Sequence, residues 1–218
     1  MAWFFVMLML VVIVAYVYRW FAEAGQRRAA YLRLYHLPAS TLDRFQHVYP
    51  DLTPAQVTQV EQGLQRFFVY YQKSGYQPIV PPSRVVAELW QAFAQDQRPY
   101  AQFCRRAFGH VLPPHHAIAF GTDPEQNRGL SLIWMLSCRY ELINPRTPAT
   151  LPMLFALDAT LGIADGLLYR LDSTGLYSAG LRIGADPAPM NGEKNEILCH
   201  SIATLEADYD LNNYFDPQ

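Results

Sequence analysis

The first eighteen positions, MAWFFVMLMLVVIVAYVY from Met1 to Tyr18, contain no charged side chain. As a helix rising about 1.5 Å per residue the run spans about 27 Å, close to the roughly 30 Å hydrocarbon core of a bilayer. Trp3, Phe4 and Phe5 stand at one end and Tyr16, Tyr18, Trp20 and Phe21 at the other, as aromatic belts do at membrane interfaces. The pattern predicts a transmembrane anchor over residues 1–20. A cleaved signal peptide would have a basic start, a shorter apolar run and a small-residue cleavage site. Here no Lys or Arg precedes the run, and tyrosines occupy its end. Arg19, Arg27, Arg28 and Arg33 follow it, so the positive-inside rule places the N-terminus outside and the rest of the chain in the cytoplasm. The expected location is the cell inner (cytoplasmic) membrane, crossed once.

Beyond the anchor the pattern changes to amphipathic helices. AEAGQRRAAYLRLYHL continues as a juxtamembrane helix over residues 21–38, stopping before Pro38. Thr53 then offers an N-cap, Pro54 fits the first helical position and Gln56 closes a capping box. Val57, Val60, Leu64, Phe67, Phe68 and Tyr71 recur at helical spacing behind it, with Gly75 as the stop. YQPIVPP breaks regular structure. Ser83 caps a second helix carrying Val86, Leu89, Trp90 and Phe93, which Arg98-Pro99 kinks or restarts. Tyr100, Phe103, Cys104 and Ala107 continue its apolar face to Gly109, a natural C′ residue. A third helix opens at Thr122-Asp123-Pro124-Glu125 and carries Leu130, Ile133, Trp134 and Cys138, with Leu142 as a further candidate. A shorter helix is expected around Leu151–Leu161.

After Gly162 short apolar runs such as LLYRL and GLYSAGLRI allow a β-hairpin or irregular cover, and the last thirty residues read as loosely held. The expected fold is mainly α: a single transmembrane helix, then a compact helical bundle over residues 39–171 and an irregular acidic region over 172–218. No internal repeat or sustained heptad is present.

Composition narrows the function. Charged residues make up 17% and the formal net charge is −2, which gives no basic face for nucleic acid. From Arg19 to Arg106 there are eleven basic and six acidic residues, and from Ala107 onward six and thirteen. The basic half follows the anchor, where attraction to anionic lipid head groups explains it. Glu193, Glu196, Glu206, Asp208, Asp210 and Asp216 read as a solvated tail. Three scattered cysteines, Cys104, Cys138 and Cys199, suit a reducing compartment.

Phosphate-loop, dinucleotide-binding, HExxH, GxSxG and CxxC signatures are absent. The strongest remaining chemistry lies between Glu88 and His116. Cys104, His110, His115, His116 and, from the next helix, Cys138 could together ligate Zn²⁺ or iron. The competing structural reading carries more weight. Cys104 lies on an apolar face, where a free thiol acts as a small hydrophobe. His110 follows a helix C-terminus, which favours a cation, and His115 and His116 fit a solvated loop. Asp158 and Asp165, seven residues apart, could share a helix face for acid–base work. Asp158 equally fits a helix surface, and Asp165-Gly166 a turn. Cys199-His200 is a weak nucleophile pair, since adjacent residues rarely aim at one atom.

The segment from Tyr49 to Tyr169 resembles uncharacterised bacterial membrane-anchored proteins related to glycine-rich domain-containing proteins. Their pattern is Trp-His, Tyr, Cys, Gly and then a His-His loop. Trp90, Tyr100, Cys104 and Gly109 stand where the pattern asks. Gln91 replaces the histidine after the tryptophan, and Pro113-Pro114 replaces the histidine pair, with His115 and His116 two residues further on. If the histidines of that family hold a metal, ligands here are lost or moved. If they only tie helix to loop, Gln91 can do so. The resemblance implies a helical fold and a membrane location and carries no activity.

Taken together, these features lead us to expect a non-catalytic protein-interaction or scaffold module on the cytoplasmic face, held to lipid by its N-terminal helix, with a protein partner and no nucleic acid. No cofactor is expected on this reading. The alternative is a metal-binding protein or metalloenzyme using the Cys/His cluster. A hydrolase built on Asp158 or Asp165 ranks third.

Overall fold

A computed structural model describes residues 2–117, 124–145, 148–172 and 175–179. The described chain is mainly α: α1 (Ala2–Leu34), α2 (Ala39–Val48), α3 (Pro54–Lys73), α4 (Arg84–Gln95), α5 (Gln97–Ala107), α6 (Pro124–Tyr140) and α7 (Met153–Thr160). A hairpin of β1 (Leu168–Asp172) and β2 (Gly175–Ala179) follows, antiparallel, with Leu168 opposite Ala179 and Asp172 opposite Gly175. Thr122, Asp123, Cys199, His200 and the acidic tail lie outside the described residues.

α3 is the hub of the domain. Its start is capped as the sequence predicts: Gln56 N–H donates to Thr53 Oγ1 at 3.3 Å and Thr53 N–H to Gln56 Oε1 at 2.8 Å. Thr53→Ala leaves the Gln56 N–H to water and is expected to cost about 1 kcal/mol in urea unfolding. A loss below about 0.3 kcal/mol would contradict that role for the cap. The whole predicted stripe, Val57, Val60, Leu64, Phe67, Phe68 and Tyr71, is buried. Gly63 lets α4 and α7 close in, since a Cβ there would stand 3.0 Å from Val86 Cγ2 and 3.2 Å from Leu157 Cδ2. A mid-helix glycine costs roughly 1 kcal/mol against alanine, and this close packing offsets it.

Sequence periodicity missed α2. It follows Pro38 with no side-chain cap, and of its ten residues only Thr41 and Phe45 are buried. Tertiary bonds hold it instead. The Asp96 carboxylate accepts from Thr41 Oγ1 at 2.6 Å, Arg44 Nη2 at 2.9 Å and Ser40 Oγ at 3.0 Å. Arg44, then the Thr41 hydroxyl, keep that carboxyl below its usual range. Asp96 also marks the break between α4 and α5, three residues before the expected kink at Arg98-Pro99. Pro99 sits in the first turn of α5, where a proline is tolerated.

α1 runs unbroken from the apolar stretch into the core. Its side chains from Val6 to Tyr18 are exposed, whereas Ala29 and Leu32 are buried. α1 and α3 run antiparallel, fastened by Gln72 Nε2 to the Gly25 carbonyl (2.9 Å), Gln65 Nε2 to the Tyr35 carbonyl (2.7 Å) and, just past α1, Leu37 N–H to Glu61 Oε1 (2.9 Å). Tyr35 packs on Phe103 of α5 with ring centres 4.6 Å apart. This helix is long and apolar enough to cross a membrane.

Three side-chain expectations are corrected. Leu142 is 94% exposed with φ 58°, because the chain has already turned out of α6. Asp158 is not on a helix surface: it is 1% exposed. Asp165 lies beyond α7 in a turn at φ 55°, so the two aspartates share no helix face.

Candidate functional site

Trp90 lies on the apolar face of α4 and is 1% exposed. It packs against Phe67 and Phe68 at ring-centre distances of 5.2 and 5.6 Å. Its indole N–H donates to Tyr100 Oη of α5 at 2.8 Å, and that hydroxyl donates to the Leu112 carbonyl. Cys104, one turn on from Tyr100, is fully buried beside the same hydroxyl and the Leu112 backbone. Gly109 ends α5 at φ 87°, a conformation that costs glycine little, and donates to the Cys104 and Arg105 carbonyls. Trp90, Tyr100, Cys104 and Gly109 therefore form one structural unit, which fastens the segment after α5 across α4 and α5.

The five candidate ligands are placed as follows. His110 Nε2 meets Tyr71 Oη at 3.1 Å, with its ring against Tyr76. His115 sets its ring edgewise to Trp90 at 6.0 Å. His116 Nδ1 meets Gln91 Nε2 at 2.9 Å. Cys138 is buried within α6. Among the described residues no three His, Cys, Asp or Glu side chains form a group that could hold a metal. Burial pushes the Cys104 thiol up, and burial, with Glu141 second, pushes Cys138 up to about 12. Both therefore remain thiols near neutrality, the weaker form as nucleophile or ligand.

The other face of α4 meets α7 and the start of the hairpin. There the buried Asp158 carboxylate gathers Ser83 Oγ (2.6 Å), Arg84 N–H (2.7 Å), Leu167 N–H (2.8 Å) and Val85 N–H (3.3 Å). It closes the start of α4, where the helix dipole also favours an anion. Arg84 then reaches outward, giving Nε to Glu88 Oε1 at 2.9 Å and Nη1 to the Asp165 carbonyl at 3.2 Å. Glu88 Oε2 accepts from Tyr49 Oη at 2.7 Å.

Between these groups lies a cleft of about 160 Å³, lined by Arg84, Glu88, Gln91, His116, Ala117 and Asp165 among others. It presents a guanidinium, a carboxylate, an amide and an imidazole, a mixed set suited to hydrogen-bonding a small polar group or a stretch of main chain. Sequence reading had singled out Gln91, His116 and Asp165 but not Arg84, Glu88 or Tyr49. The i,i+4 spacing of Arg84 and Glu88 was the available signal. Ser83, which could have looked nucleophilic, is buried and spends its proton on Asp158.

The chain is thus a helical domain carrying an apolar N-terminal helix, with a polar cleft on α4. The family model described as UCP032817-like matches residues 27–187, most of the chain, which belongs to that family. No curated protein and no solved structure matches it.

Proposed function

We propose that this protein is a single-pass membrane anchor joined to a non-catalytic helical domain that presents a rigid surface to a partner protein on the cytoplasmic face of the inner membrane. The observation that carries the reading is the unbroken α1, exposed and apolar from Val6 to Tyr18 and locked into the core by Leu32, Gly25 and Tyr35. A hinge between anchor and domain would leave orientation free, whereas a continuous docked helix fixes it. Support for a scaffold role comes from the α4 cleft, whose polar groups bond one another rather than converging on one reacting atom. The Trp90–Tyr100–Cys104 unit supports kinship with the bacterial proteins related to glycine-rich domain-containing proteins.

Flotation and alkaline carbonate extraction test the anchor. The full chain is expected to stay with the bilayer at pH 11, its N-terminal peptide still present by mass spectrometry. Leu10→Arg, which puts a charge costing about 2.5–3.5 kcal/mol near mid-membrane, is expected to weaken insertion. Quantitative release of the unaltered chain, or a mature form lacking the first twenty residues, overturns the reading.

A further inference from the structure

We propose that the end of the helical domain nearest the anchor is a docking surface for acidic phospholipid head groups of the bilayer α1 crosses, with Arg27, Arg28 and Lys73 as its contact residues; the proposal rests on the anchor reading above. Gln72 bonds the Gly25 carbonyl, seven residues past Tyr18. That is a rise of about 10 Å at roughly 1.5 Å per residue. Head groups extend about 5–8 Å beyond the hydrocarbon core, and screening at physiological salt acts over about 8 Å. The end of α3 therefore lies within reach of the head-group layer.

α5 runs antiparallel to α1 as well, since Phe103 packs against Tyr35 while Phe108 and His110, further along, pack against Tyr76. This brings Gly109, His110 and the exposed Val111 to the same end. Side chains on α1 lean toward its N-terminus, hence toward the membrane.

Charge separates along the same axis. Residues 19–31, 69–82 and 103–117, which lie toward the anchor, hold six Arg or Lys and one carboxylate, Glu23, and the start of α6, where Gly129 packs on Pro78, adds Glu125 and Arg128. Glu23 pairs with Arg27 at 3.3 Å, with both side chains more than half exposed, a pair too wet to neutralise the patch. Arg28 is steered by Tyr76 Oη at 3.2 Å. Lys73 is exposed, and Arg105 and Arg106, also exposed, add positive potential behind it. Glu61 and Asp96 lie toward the far end, where they bind Leu37, Thr41 and Arg44.

Amine acylation of Lys73, read by mass spectrometry against an added soluble lysine-containing peptide, tests the surface. In nanodiscs holding the full chain, phosphatidylglycerol in place of phosphatidylcholine is expected to slow acylation of Lys73 relative to that peptide by about fivefold, the scale of one basic residue at an anionic surface. High salt is expected to reverse the effect, and Arg105→Glu, with unchanged circular dichroism, to reduce it. An unchanged ratio in the two lipids, with the chain still resistant to carbonate, overturns the docking surface alone. Release by carbonate instead overturns the anchor reading, and the docking surface falls with it.

Discussion

Asp158→Ala is expected to lower the unfolding free energy by about 3–5 kcal/mol. The buried carboxylate accepts from four donors, Ser83 Oγ and the backbone N–H groups of Arg84, Val85 and Leu167. Removing it strands three backbone donors and one hydroxyl away from water, and each lost partner carries a desolvation cost of about 1–3 kcal/mol. The start of α4 and the approach to β1 loosen together. Asp158→Asn keeps the shape and one acceptor oxygen but turns an NH₂ toward the donors, so its loss should be smaller. Urea unfolding of the full chain in detergent micelles, followed by far-ultraviolet circular dichroism, measures both variants. If the alanine variant does not fold, the asparagine variant still gives a value. A cost below about 1 kcal/mol for both would mean the carboxylate does not organise this junction.

Trp90→Ala is expected to cost about 3–5 kcal/mol, the usual range for a buried aromatic truncated to alanine. The side chain is 1% exposed and wedged between Phe67 and Phe68. Its loss leaves a cavity and removes the donor that holds Tyr100 Oη in line with the Leu112 carbonyl. Trp90→Phe refills much of the space but not the N–H, and its cost should be about 1–2 kcal/mol. The two variants differ in a second readout. Both should loosen the segment after Gly109 and speed trypsin cleavage at Arg105 and Arg106, with the alanine variant cleaved faster. Equal thermal stability of wild type and both variants would show that this indole is not what joins α4 to the following loop.

Much of the helical architecture is written locally. Thr53 with Gln56 states where α3 begins, Ser83 where α4 begins and Gly109 where α5 ends, because caps and left-handed turns are satisfied by residues within four positions of one another. The apolar stripes of α3 and α4 name the side chains that are buried, since a 3.6-residue period puts them on one face. The apolar run of α1 is legible in the same way, from length and composition.

What chemistry the residues can do was less legible. Cys104 and the histidines around it have ligand-type atoms at suggestive spacing, yet spacing along a helix and loop does not determine which atoms converge. In the fold Tyr71, Trp90 and Gln91 each take one histidine as a neighbour. Asp158, plausible from sequence as a surface residue, is buried because Ser83, 75 positions away, and the Arg84 and Leu167 amides close over it.

The sequence by itself determined the helices of the core, most of their ends and the apolar helix that leads into them, all products of short-range capping and periodicity. Only the tertiary structure decided that α2 exists, that Asp158 is a buried junction and that Arg84, Glu88, Gln91 and His116 share a cleft. Those features come from hydrogen bonds and packing between segments 25 to 75 residues apart, which no local pattern encodes.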